Sequence, residues 1–132
     1  MTASVHEWST PPKMDVGAPL PSVRPDGDCL WVAYLRRDPT ATGVILKFTG
    51  VSEYHFGAPN DERLHEHPLY AAGLGFYGFY EVRGSDRLRD QKKKHWIATF
   101  HDETLEVIAD SATVVAEMIE GEDTHAMLAE RG

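Results

Sequence analysis

Cysteine is almost missing from this chain. The single one, Cys29, leaves no disulfide framework to form and no cysteine cage for zinc. Long apolar runs are missing too. No stretch approaches the ~18 residues that a membrane-spanning helix requires, and the opening MTASVHEWSTPPKMD lacks the basic-then-apolar order of a secretory leader. These absences lead to the expectation of a soluble, cytoplasmic protein with no membrane partner. Internal repeats are lacking, and 132 residues are too few for two full domains.

Basic charge is scarce toward the C-terminus. From Asp102 onward the chain carries nine acidic residues against one basic, Arg131, so this stretch alone accounts for the net charge of −8 while everything before it is balanced. A surface of this sign repels phosphate backbones and favours a basic protein partner at moderate salt. The one basic cluster, Arg87, Arg89, Lys92, Lys93 and Lys94, is interrupted by Asp86 and Asp90 and has only Trp96 as an aromatic neighbour. It reads as a solvated loop, and no nucleic-acid partner is expected.

What is present is apolar content of 42%, enough for one compact core. Five of the eight prolines fall at 11, 12, 19, 21 and 25, so residues 1–28 are expected to be an extended or disordered arm, with Trp8 as an aromatic that could dock. Asp26-Gly27-Asp28 is a turn signal, which places a single globular domain over 29–132. CLWVAYL (29–35) and VILKFTGV (44–51) read as an antiparallel pair of strands, FYGFYEV (76–82) as a third, and HWIATF with TLEVIA as a hairpin across His101-Asp102-Glu103. Within TLEVIA, Leu105 and Val107 share one face and Glu106 and Ile108 the other. Residues 111–120 suit a helix or a strand equally, and Asp123 is positioned to cap a short C-terminal helix. The expected fold class is therefore α+β: mainly antiparallel sheet, curled or closed into a small sandwich or barrel, with a short C-terminal helix.

Chemistry-bearing residues concentrate in HEHPLYAAGLGFYGFYE, residues 65–81, which hold two histidines, three glycines and five aromatics. Gly73-Leu74-Gly75-Phe76-Tyr77-Gly78 matches the G-x-G-x-x-G letters, but no strand precedes it and no helix opens after it, so the dinucleotide reading fails on its flanks. His65 and His67, one residue apart, would share a face if extended, as Pro68 favours. A metal site would need a further ligand, for which His55 and His101 are the candidates. Otherwise these histidines hydrogen-bond loop backbone. Cys29 with His101 as base is a conceivable nucleophile pair, set against the usual inertness of a buried cysteine. Asp61, Glu62, Glu81 and Glu106 supply carboxylates, with no spacing that singles out a pair.

Period-two alternation sends Phe76, Gly78 and Tyr80 one way and Tyr77, Phe79 and Glu81 the other. One set is expected in the core and the other on a partly open aromatic surface, unless a sandwich buries both.

Ala58-Pro59-Asn60-Asp61-Glu62, His67-Pro68-Leu69-Tyr70, Tyr77-Gly78-Phe79-Tyr80-Glu81-Val82 and Phe100-His101-Asp102, with Thr104, Glu106 and Ile108-Ala109, resemble a small bacterial domain family of uncharacterised proteins across roughly residues 28–110. That resemblance implies no activity and brings over no site residues.

The functional expectation is a small non-catalytic binding module, in the manner of an immunity- or inhibitor-like protein, for a basic protein partner and without a cofactor. Its recognition residues are expected to be His55, Asn60, His65, His67, Tyr70, Tyr77, Phe79, Glu81 and His101. The alternative is a small-molecule-binding protein or enzyme that holds a divalent transition metal with His55, His65, His67 and His101.

Overall fold

The computed structural model describes residues 3–15, 21–37, 42–85, 88, 92–120 and 123–129. Among the described residues nine strands form two antiparallel sheets. The first contains β1 (Ser4–Glu7), β6 (Phe79–Arg83), β7 (Lys94–Thr99), β8 (Thr104–Ala109) and β5 (Glu53–Gly57), in that spatial order. The second is ordered β2 (Ser22–Asp26), β3 (Cys29–Leu35), β4 (Gly43–Thr49) and β9 (Ser111–Ile119). A short helix, α1 (Thr124–Ala129), follows. The fold is thus α+β with antiparallel sheet dominant. Among the described residues no helix is long and apolar enough to cross a membrane.

The sheets face each other across one core. Leu30, Val32, Tyr34, Leu46 and Phe48 come from the second sheet, and Phe79, Trp96, Ala98, Leu105 and Val107 from the first. Alternation decides membership: on β8, Leu105 and Val107 enter the core while Glu106 falls on the opposite face, as the pattern of TLEVIA implies.

A long ribbon links the sheets. Strands β4 and β5 run against β9 and β8, and both sides bend at one corner, Gly50 opposite Asp110. Gly50 has φ +65° and its Cα abuts the Asp110 side chain, so both the backbone conformation and the space exclude a Cβ. Lys93 closes the corner by donating to the Gly50 carbonyl at 2.7 Å and pairing with Asp110 at 3.0 Å.

The region 1–28 departs from the expected arm wherever it is described. β1 pairs with β6, β2 pairs with β3, and Met14 is 2% exposed. Trp8 packs into the core against Phe48, Phe79 and Trp96, with ring centroids 5.9–6.2 Å apart. The prolines misled because they are compatible with sheet edges: Pro25 lies in β2, which has a neighbour on one side only. Residues 16–20, Pro19 included, and Arg87, Arg89 and Gly121 lie outside the described residues.

The ambiguous segment 111–120 is strand, paired with β4 through residue 119. Asp123 caps α1, its Oδ1 accepting the Ala126 N–H at 3.1 Å. Met127 and Leu128 then cover Ala33, Leu35 and Ile45 on the outer face of the second sheet. The outer face of the first sheet has a different cover, the segment 58–78, and that segment carries the candidate site.

Candidate functional site

Segment 58–78 stays on the sheet because its apolar residues and its backbone groups are both satisfied there. Leu64 and Leu74 are buried against Val82 and Ile97. Asn60 caps a 3-10 helix, Asp61–Glu66, its Oδ1 accepting the Arg63 N–H at 3.1 Å. The Asp61 N–H bonds the His101 carbonyl at 2.9 Å, and the Thr104 hydroxyl donates to the Pro59 carbonyl at 2.8 Å, both tying the segment to the β7–β8 turn. At its far end the Thr99 hydroxyl donates to the Gly75 carbonyl at 2.9 Å and accepts the Gly78 N–H at 3.0 Å.

The G-x-G-x-x-G letters are explained by this end. A 3-10 helix, Tyr70–Ala72, precedes them and β6 follows, and the Tyr80 hydroxyl lies where a Cβ on Gly75 or Gly78 would stand. The glycines make room for a tyrosine and no phosphate cradle forms. The third strand consequently begins at Phe79, three residues later than its sequence suggests.

Beneath the segment a carboxylate joins two imidazoles. Glu106 Oε2 accepts from His67 Nε2 at 2.9 Å and Oε1 from His95 Nε2 at 3.0 Å. His67 Nδ1 in turn accepts the Leu69 N–H at 3.0 Å, which requires a bare nitrogen, so this ring is neutral with its hydrogen on Nε2. His95 is 0% exposed and its Nδ1 lies 2.9 Å from the Ser85 hydroxyl. Burial alone would raise the carboxyl of Glu106, but the hydrogen bonds and the electrostatic pull of His67 and His95 together outweigh it and hold the group ionised, well below the usual carboxylate range. Each nitrogen of His67 and His95 is thereby engaged.

Above this network lies an open cleft of about 610 Å³, lined by His55, Ala58, Pro59, Asn60, Arg63, Glu66, His67, Pro68, Asp102 and Glu106. His55 stands opposite Glu106 across the β5–β8 pair. Its Nε2 donates to the Ala58 carbonyl at 3.0 Å. Arg63 and Glu66 form a two-point ion pair at 2.6 and 3.2 Å, and this lowers the Glu66 carboxyl.

Beside the cleft runs a ridge of rings. Tyr70 meets Phe76 at 6.2 Å, Phe76 meets Tyr77 at 6.1 Å, and Tyr77 stacks on His101 at 6.3 Å and 21°. Tyr70 and Phe76 are 38% and 46% exposed. Tyr77 adopts φ 54°, uncommon for an aromatic residue, and is pinned there by a 2.5 Å hydrogen bond from its hydroxyl to Asp61 Oδ2. That bond lowers the Asp61 carboxyl and raises the Tyr77 hydroxyl. His101 is raised first by its 2.9 Å bond to Asp102, then by the charge of Asp61, with Glu62 adding to it.

Of the residues expected to form the site, His55, Asn60 and His67 meet at the cleft, and Tyr70, Tyr77 and His101 form the ridge. Three corrections follow. Phe79 is 5% exposed and belongs to the core, where Trp8, Tyr34 and Phe100 surround it. Glu81 lies on β6 with its carboxylate 3.9 Å from Arg83, outside the cleft lining. His65 is exposed and does not share a face with His67, because Asp61–Glu66 is helical where the histidine pair required an extended chain.

Among the described residues no group of three or more His, Cys, Asp or Glu side chains is placed to hold one ion. Cys29 starts β3 in the second sheet with its thiol 3.6 Å from Asp28, whereas His101 follows β7 in the first.

His95 escaped the sequence reading, although alternation from Trp96 and Ala98 puts it on the same outer face as Ile97. Phe76 was assigned to a strand that had not yet begun. No protein-family model, curated protein or solved structure matches this chain.

Proposed function

We propose that this protein is a small non-catalytic binding module, of the immunity- or inhibitor-like kind, that grips a basic protein partner with the ridge Tyr70–Phe76–Tyr77–His101. The observation that carries the reading is the pairing of two exposed aromatic rings with fixed neighbours and surrounding carboxylates. Tyr70 and Phe76 are among the few large apolar residues left exposed, they touch each other, and Asp61, Glu62 and Asp102 lie around the end of the ridge at His101.

Aromatic anchors in an acidic setting suit a partner that offers Lys or Arg around an apolar patch. The positive φ of Tyr77 supports the same reading, since strain of this kind persists where the surroundings over-determine it and is frequent at binding sites. A binding role without chemistry is supported by His67 and His95, whose ring nitrogens are engaged by Glu106, the Leu69 N–H and Ser85.

The test is affinity capture with the wild type and with a Tyr70→Ser/Phe76→Ser double variant. The expected result is a basic protein retained by the wild type, released by salt, and lost from the variant while its unfolding midpoint is unchanged. Equal capture by both proteins would refute the assignment of the face.

A further inference from the structure

We infer that the cleft between the Asp61–Glu66 helix and strands β5 and β8 binds an organic cation, a guanidinium or primary ammonium group carried on an apolar stem. Its volume of about 610 Å³ falls within the range of small-ligand sites. The lining sorts into a charge pattern and an apolar wall. Three carboxylates line it, Glu66, Asp102 and Glu106, against one permanent cation, Arg63. Arg63 and Glu66 balance each other through a two-point pair, so the carboxylates that set the sign are Glu106 and Asp102, the latter bonded at one oxygen to His101 Nδ1 at 2.9 Å. His67 adds no positive charge, because its Nδ1 accepts the Leu69 N–H and its only hydrogen goes to Glu106.

The neutral groups point the same way. His55 spends its Nε2 hydrogen on the Ala58 carbonyl. The cleft is therefore rich in acceptors and net negative. Ala58, Pro59 and Pro68 supply apolar side chains along which a methylene stem can lie. An anionic ligand would meet the repulsion of Asp102 and Glu106 with Arg63 already engaged.

Both a free metabolite and an arginine side chain of a protein carry this chemistry, and the site is separate from the aromatic ridge, so the inference stands or falls independently of the partner proposed above.

The experiment titrates the full chain with agmatine, with n-butylamine, with the capped peptide Gly-Gly-Arg-Gly-Gly and with inorganic phosphate, following amide shifts by NMR. Saturable shifts confined to residues 55–68 and 102–106 are expected for the three cations, weakened by added salt. Phosphate should give none. Asp102→Asn is expected to weaken agmatine about threefold without loss of fold, whereas Tyr70→Ser/Phe76→Ser should leave agmatine affinity untouched.

Tighter binding of the peptide than of agmatine would identify the source as a protein side chain, and the reverse order a free small molecule. Absence of localised shifts with agmatine and n-butylamine alike, localised phosphate shifts in their place, or Asp102→Asn indistinguishable from wild type would each overturn the inference. Glu106→Gln is reserved for a second round, since Glu106 also supports the fold.

Discussion

The two sheets turn apolar faces toward each other, but their outer faces are covered by opposite strategies. On the second sheet, six residues of α1 lay Met127 and Leu128 over Ala33, Leu35 and Ile45. That cover is short, apolar and non-directional. On the first sheet, segment 58–78 buries two apolar side chains, Leu64 and Leu74, with the imidazole of His67, and is otherwise held by directional bonds, from Thr99, Thr104, Tyr77 and the His67–Glu106–His95 network. A cover fastened by hydrogen bonds can leave its rings and carboxylates facing outward, while one fastened by burial spends its side chains on the sheet. Under the function proposed above, one outer face serves stability and the other recognition.

The largest effect expected from this contrast is at α1. Leu128→Ala should lower unfolding free energy by about 2–5 kcal/mol, the range for buried leucine truncation, yet leave agmatine binding and partner capture intact. Urea melts paired with an agmatine titration would check it, and loss of agmatine binding in a folded Leu128→Ala protein would erase the division between the faces.

Glu106 is expected to do the opposite and affect both properties. Glu106→Ala leaves the His67 and His95 donors without their acceptor, at roughly 1–3 kcal/mol for each unsatisfied buried group, and it also removes a wall of the cleft. The pH dependence carries a sign. The folded carboxyl lies below its unfolded value of about 4.3, so its stabilisation is present above that value and fades as the solution is acidified toward the folded pKa. Glu106→Gln should flatten the acid limb of stability against pH, and an unchanged slope would show that the network contributes nothing to acid sensitivity.

Ridge substitutions sharpen the comparison from the other side. Tyr70→Ser/Phe76→Ser should change stability by no more than about 0.5 kcal/mol, as exposed positions usually do. If these rings are anchors, the same pair should cost about 2 kcal/mol or more of partner affinity. A stability loss comparable to that of Leu128→Ala would mean the rings are core after all.

How far all this was visible in the sequence depended on whether a residue's role is set by local alternation or by long-range contact. CLWVAYL, HWIATF and TLEVIA declared themselves as strands, and Leu105 against Glu106 declared the two faces, because period two is a local property. The arm was misread because β1 and β2 have few apolar residues and gain order only from pairing with β6 and β3, far along the chain. Alternation could have flagged His95, but its meeting with Glu106 eleven residues away and His67 on a separate segment needed the tertiary fold. Phe79 and Phe76 exchanged roles because Gly75 and Gly78 delay the strand to accommodate the Tyr80 hydroxyl, a contact that no spacing announces.

The smallest expected effect belongs to His101, where the two properties of the ridge should respond to pH in opposite directions. Its pKa in the folded protein is raised, first by the hydrogen bond to Asp102 and then by Asp61, with Glu62 contributing. A raised folded value means that the protonated ring favours the fold. That contribution is fully present below the unfolded pKa of about 6.5 and disappears as pH rises through the folded pKa. Recognition of a basic partner should run the other way, since an imidazolium offsets the carboxylates around it and its deprotonation restores their full negative field. As pH rises from about 6.5 through the raised folded pKa, then, thermal stability should drift slightly downward while capture of the basic partner strengthens, and His101→Gln should remove both trends. Parallel trends, or trends that survive His101→Gln, would place the titrating group elsewhere and separate the ridge from the electrostatics proposed for it.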